Sequence, residues 1–370
     1  MRLALCETLI MNYTILLTFD VEDWFQVENF KQCIPFSSWP NYELRVEKNV
    51  HRILDLLDSI NCNTPVPQHR STAPPQHRSN APTHHCSTAV PQNFTQHFLS
   101  SSPPASRLAP HVLNSLPCAM RHAPCEKVRG TFFILGWLAE RLPHLVREIQ
   151  ERGHEIASHG YDHELCGEQS TEDLKDDLVK SKKLLEDITG NPVYGYRAPS
   201  FSISDDILQL IRQTGYLYDS SFNSFALHRR YGRMKLNGNG GNGILHTVSD
   251  NFYELPVSNL KLVNRILPWG GGGYFRLIPT RLFKYGVQSI LKNQGAYLFY
   301  LHPWEIDSDQ PKVAGVQLSY KFRHYINLNK TLKKLSYLLT ELRDCRFQTC
   351  YEYLTDRNHS TAAPLHFFNS

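Results

Sequence analysis

Seven short stretches of the chain are apolar and rich in β-branched or aromatic residues: 13–20, 128–135, 153–158, 193–197, 216–219, 252–256 and 296–301. Their length and composition predict strands. The first ends as LLTF before Asp20, and the second runs through KVRGTFFILGW (127–137); both lack the alternation of a half-wet strand and read as buried. Between the strands the apolar period changes to that of a helix. Residues 43–62 place Val46, Val50, Ile53, Leu54 and Leu57 on one face. Further helices are predicted at 137–151, 171–189, 204–214 and 279–292, and a last one at 328–343 follows the final strand. Strands that alternate with helices imply a parallel sheet with right-handed crossovers. Seven of them with helices outside predict an α/β fold, a distorted (β/α)7 barrel, whose chemistry sits at the C-terminal ends of the strands.

One segment breaks the pattern. From 63 to 124 the chain is rich in Pro, His, Ser, Thr, Ala and Gln, and it carries an imperfect eight-residue repeat: PQHRSTAP (67–74), PQHRSNAP (75–82), THHCSTAV (83–90). No period of 2 or 3.6 runs through it. Such a composition buries too little surface to offset its ordering entropy, so a disordered, solvated insertion is expected, and its His residues lack a frame for metal binding. It falls at the joint between a helix and a strand, where insertions are best tolerated. The other numbers exclude more than they assign. Net charge is +4, from 39 basic and 35 acidic residues, which gives no reason to expect nucleic acid as a partner. No apolar run reaches the roughly 20 residues of a membrane helix. The first residues make a poor signal peptide, and the nine Cys include no C-x-x-C, so reduced thiols and a cytoplasmic location are expected.

Polar residues collect where the fold says chemistry belongs. Strand one ends in Asp20, Glu22 and Asp23; strand three in His159, with His163 four residues on; strand four in Arg197 before Pro199; strand five in Asp219; strand seven in His302. Ionisable groups at the same end of five strands describe a site. Two neutral imidazoles and one carboxylate make a three-ligand site for Zn²⁺ or a similar divalent ion. A second carboxylate can act as general base, and a His across the rim can protonate a leaving group. That is equipment for metal-assisted hydrolysis of an amide or ester. Each residue has a plainer reading as well. Arg197 can pair with Asp219, a helix end or Asp20; His302 can be a satisfied core histidine; the glycine run of WGGGGYFR (269–276) can serve a close backbone approach.

In this order TFDVED, SHGYDH, YRAPSFS, YDSS and LHP resemble the motifs of the NodB-type polysaccharide deacetylases, carbohydrate esterase family 4. The resemblance covers about Tyr13 to Tyr300 without the insertion. FDVEDWFQ, GGGGYFR and FYLHPWEIDSDQP further resemble a subgroup that carries a C-terminal DUF3473 extension and accompanies exopolysaccharide export and protein-sorting loci. The organisation implied is an N-terminal extension (1–12), a deacetylase barrel (13–62 and 125–268), the insertion (63–124), the end of the barrel with the extension (269–351), and a tail (352–370). By resemblance Asp20 is the general base, His302 the general acid, Arg197 orients Asp20, and Asp219 orients His302 or its neighbours. His159 and His163 hold a divalent metal, Zn²⁺ foremost. The family's second Asp, its metal ligand, is replaced here by Val21. Glu22, two residues from Asp20, points the same way in an extended backbone and becomes the third ligand, with Asp23 as fallback. The implied reaction is removal of N-acetyl groups from N-acetylhexosamine units of a polysaccharide or oligosaccharide. Competing readings are hydrolysis of a small amide and a catalytically silent sugar-binding component of polysaccharide export.

Overall fold

The computed structural model describes residues 13–61, 127–225, 243–263 and 265–361. The expected N-terminal extension and the low-complexity insertion lie outside the described residues. The strands are β1 (Thr14–Val21), β2 (Gly130–Ile134), β3 (Glu155–Ser158), β4 (Gly195–Tyr196), β5 (Tyr218–Asp219), β6 (His246–Ser249), β7 (Phe252–Glu254), β8 (Asn259–Leu262), β9 (Arg265–Pro268), β10 (Ala296–Leu301) and β11 (Arg346–Phe347). The main sheet has the order β10-β1-β2-β3-β4-β5-β7-β6. All its pairs are parallel except β6–β7, an antiparallel edge that the alternation of strands and helices does not foretell. The sheet curls as a barrel wall does, but among the described residues no ladder joins its two ends. Irregular backbone bridges them instead: Ser258 N donates to Leu298 O at 3.3 Å and Tyr300 N to Gly270 O at 2.7 Å. The barrel is therefore distorted in a definite place, along the seam beside β10.

Alternation within the strands divides the core. Leu16, Phe133, Ala157, Tyr218, Leu255 and Leu298 form the inner cluster, while Ile15, Leu17, Phe19 and Phe132 pack on the helices. Carried two and four residues along β1 from Leu16, the same face brings Thr18 and Asp20 to the mouth of the curl. The outer helices are α1 (Val46–Asn61), α2 (Gly136–Arg141), α3 (Pro143–Glu151), α4 (Thr171–Thr189) and α5 (Asp205–Gln213). The helix expected over 137–151 is two, because Leu142 leaves helical geometry and Pro143 opens the next helix at its first position.

The C-terminal part contains α6 (Gly272–Leu277), α7 (Thr280–Gln294), α8 (Leu318–Tyr325), α9 (Leu328–Glu341) and α10 (Cys350–Thr361). It occupies both ends of the barrel. β11 pairs with β1 at Thr14 and Ile15, the N-terminal end. From there α10 sends Cys350, Tyr353 and Leu354 into the inner cluster. Thr131 Oγ1 accepts the Cys350 amide at 2.9 Å and Glu155 accepts that of Tyr351 at 3.1 Å, so the plug is hydrogen-bonded as well as apolar. Part of the stretch expected as a tail is thus a packed helix. At the other end, α6 and α8 stand over the mouth.

Candidate active site

Asp20 and Arg197 form the innermost layer. Arg197 is fully buried and every side of its guanidinium is bonded: Nη1 to Asp20 Oδ1 at 2.6 Å and to Thr18 Oγ1 at 2.7 Å, Nε to Ser220 O at 2.9 Å, Nη2 to Ser220 Oγ at 2.8 Å. Of the partners left open by the sequence, Asp20 is the one engaged. The guanidinium also lies 4.1 Å over the Phe133 ring. Pro199 and the bond from Ala198 N to Ser221 Oγ (2.8 Å) fix the loop that carries it. This arrangement orients Asp20 through Oδ1 and leaves its second oxygen, Oδ2, toward His302.

Glu22, His159 and His163 meet beside it. Glu22 Oε1 lies 3.1 Å from Nε2 of both histidines, and the three ligand atoms fall within 4.8 Å of one another. Burial alone would raise Glu22, but the facing His163, His302 and His159 hold it well below the ordinary carboxylate range. His163 reaches the group because its backbone takes the left-handed region (φ 62°). His159 Nδ1 lies 2.7 Å from the Arg197 carbonyl, which can only accept, so that nitrogen carries the proton. With Nδ1 committed to that carbonyl, Nε2 is the nitrogen left to face Glu22 Oε1 and a cation shared with it. Donor set and orientation fit a divalent metal such as Zn²⁺. Asp23 does not join them. Its Oδ2 accepts the amides of Arg45 (2.6 Å) and Val46 (2.8 Å) and its Oδ1 that of Trp24 (2.8 Å). Its place is at the N-terminus of α1, and burial pushes it up to about 6 against those bonds.

His302 follows β10, the parallel neighbour of β1, with Nε2 3.9 Å from Asp20 Oδ2 and 3.7 Å from Glu22 Oε1. Burial opposes its charging, yet Glu22, Glu305 and Asp20 together draw it up to about 9. Asp219 is not its partner. It accepts from Ser221 Oγ (2.7 Å) and Ser221 N (2.9 Å) and shares a hydrogen bond with Glu254. Burial, and for Glu254 the charge of Asp219, raises both carboxyls, so the pair holds a proton between them. Through Ser221, Asp219 steadies the Arg197–Ala198 loop.

The residue against His302 is Glu305, which the sequence does not single out. Its Oε2 lies 3.0 Å from His302 N and 3.1 Å from Nδ1, and its Oε1 accepts from Arg276 Nε at 2.9 Å. The signal available was the spacing: a carboxylate three residues after a strand-end His, across a Pro-Trp turn. The glycine run is explained here too. A Cβ on Gly270 would meet Ser258 O at 2.6 Å, on Gly271 the Tyr300 hydroxyl at 2.5 Å, and on Gly272 the Glu305 carboxylate at 2.0 Å. These glycines let α6 start hard against β10 and the Glu305 side chain. The whole group opens into a cavity of about 490 Å³, walled by Ser200 and Phe201 on one side and by Tyr274, Leu277 and Phe322 on the other.

Family comparisons agree with this construction. A profile described as polysaccharide deacetylase matches residues 125–218, and one described as a domain of unknown function, DUF3473, matches 220–355. The second begins directly after β5 and takes in β10, His302, Glu305 and Arg276. A peptidoglycan deacetylase-like protein of Gibberella zeae is 41% identical over 96 residues, 26% of this chain and 28% of the relative. A peptidoglycan-N-acetylglucosamine deacetylase of Bacillus cereus is 32% identical over 90 residues, 24% of this chain and 42% of the relative. The matched stretch thus spans less than half of either relative. A crystal structure of a candidate polysaccharide deacetylase from Mycobacterium smegmatis superposes with a TM-score of 0.52 at 18% identity, covering 95% of this chain and 92% of that one, which establishes a shared fold. Residues 125–218 thus match the polysaccharide deacetylase model and 220–355 the DUF3473 model, on a fold shared with the Mycobacterium smegmatis structure.

Proposed function

We propose that the protein is a metal-dependent hydrolase that removes N-acetyl groups from N-acetylhexosamine units of a polysaccharide or oligosaccharide. The observation that carries this reading is the buried convergence of Glu22, His159 and His163 beside an Arg-held Asp20, with His302 at the end of the neighbouring strand. A divalent ion, Zn²⁺ foremost, held by Glu22, His159 and His163 would polarise the acetyl carbonyl and acidify the attacking water. Asp20, oriented by Arg197, accepts the proton of that water as the water oxygen bonds to the carbonyl carbon. His302 delivers a proton from Nε2 to the amide nitrogen as the C–N bond breaks, which frees the amine and leaves acetate. Tyr274 and Phe201 offer apolar faces to a pyranose in the cleft, the mixture of apolar walls and few polar groups that small-ligand sites use.

Relatives named for peptidoglycan support a glucosamine-containing polymer as substrate. An exopolysaccharide fits the same chemistry. The test is acetate release from N-acetylglucosamine oligomers by protein that has been stripped of metal and reloaded. Release restored by a divalent metal and absent without it is expected. No release from any N-acetylated oligosaccharide by the reloaded protein would overturn the reading.

A further inference from the structure

Resting on the reading above, we infer that Glu305, clamped by Arg276, is the positioning residue of His302, so that the DUF3473 region supplies the support of the general acid as well as the acid itself.

A carboxylate oxygen can only accept, and Glu305 Oε2 takes both the backbone amide (3.0 Å) and Nδ1 (3.1 Å) of His302. Nδ1–H is therefore held on Glu305, and Nε2 is the nitrogen turned to Asp20 and Glu22, the one whose proton the imidazolium can give up. That is the orientation a proton donor to the leaving amine needs. The ring cannot easily turn away. Trp304 stacks on it at 5.3 Å with 26° between planes, and His324 stacks on the far side of Trp304 at 4.2 Å and 8°.

Glu305 is itself fixed from behind. Arg276 Nε bonds its Oε1 at 2.9 Å, and the remaining nitrogens of Arg276 donate to the carbonyls of His324 (2.7 Å), Ile326 (2.9 Å) and Arg323 (2.8 Å). Those carbonyls end α8, so the helix that walls the cleft is tied to the group that sets the acid. Glu305 and Arg276 are both at least 97% buried, and a carboxylate kept there only for structure would be satisfied by Arg276 alone. Instead one oxygen is spent on the imidazole. Gly272 leaves the room for it: a Cβ there would lie 2.0 Å from Glu305 Oε2. Asp219, the residue that the sequence offers for this work, is committed to Ser221 and Glu254.

Glu305→Gln keeps the shape and an acceptor but loses the charge that anchors Nδ1–H. It should lower kcat on N-acetylglucosamine oligomers by about 10²-fold, in the range of general-acid contributions, with KM and bound metal unchanged. On an aryl acetate ester, whose leaving group needs no proton, the fall should stay within about threefold. Gly272→Ala, which displaces the carboxylate without removing it, should give the same split. Independently of activity, ¹⁵N-labelled histidine spectra of the full chain, recorded above the pH at which His302 loses its first proton, should show the remaining proton on Nδ1, and Glu305→Gln should shift it toward Nε2. Equal losses on both substrates, or a His302 tautomer that does not respond to Glu305→Gln, would overturn the positioning role. If neither substrate is hydrolysed by wild-type protein, the deacetylase reading fails while the spectra still decide the role of Glu305.

Discussion

Replacing Arg197 by Ala tests the inner layer of the site. The side chain has no exposed surface, and its ion pair with Asp20 is 2.6 Å long between groups that are both buried. Removing one partner of such a pair leaves an uncompensated buried charge, at a cost of about 3–5 kcal/mol. With about 2–4 °C lost per kcal/mol in a large domain, the melting temperature should fall by roughly 6–20 °C. Turnover should fall with it by at least about tenfold, because Asp20 loses the cation that orients it. A double replacement, Asp20→Asn with Arg197→Met, removes both charges and refills the volume. It should be more stable than Arg197→Ala alone, while remaining inactive. Urea unfolding of the three proteins, alongside acetate release, measures both effects. An Arg197→Ala protein within about 1 kcal/mol of wild type would refute the reasoning, because a buried Asp20 could not then depend on that guanidinium.

Asp23→Ala should destabilise the protein by about 1–2 kcal/mol through loss of the α1 cap and leave metal stoichiometry intact; loss of metal would make Asp23 a ligand instead. His302 should make the stability of metal-free protein fall with pH. Its folded pKa, about 9, lies above the ordinary value of 6.5, so its contribution is complete below about pH 6.5 and is lost as pH rises through about 9. The difference is on the order of 3 kcal/mol, and it should vanish in His302→Gln and shrink once metal neutralises Glu22. Urea unfolding at pH 6, 7.5 and 9 reads it; a wild-type and variant pair with parallel pH dependence would exclude the effect.

Much of the fold was legible because burial writes itself into composition. The strand at 296–301 and the helix at 171–189 coincide with their predicted bounds, the latter because Ser170 caps one end and Gly190 in the left-handed region closes the other. What stayed hidden is what neighbours decide. β4 and β5 keep only two residues each as ladder, and the β8–β9 hairpin and β6 carry no strong apolar signal in a segment of mixed polarity. At the site, residue types at strand ends pointed to Asp20, Glu22, His159, His163, Arg197 and His302, which the fold does bring together. Of the two readings for Asp219, His302 or its neighbours, spacing could not choose, and it bonds Ser221 beside the Arg197 loop. Glu305 and Arg276 were missed because they lie 29 residues apart and meet only when α6 folds against β10.

Hydrolysis as proposed requires a cation held by Glu22, His159 and His163. Metal content of dialysed wild-type protein, measured by inductively coupled plasma mass spectrometry beside Glu22→Gln, His159→Ala and His163→Ala, addresses it directly. About one divalent ion per wild-type chain, lost in each variant while the fold persists by circular dichroism, is the predicted result. A metal-free wild-type protein that binds none on reloading, or variants that retain full occupancy, would contradict it.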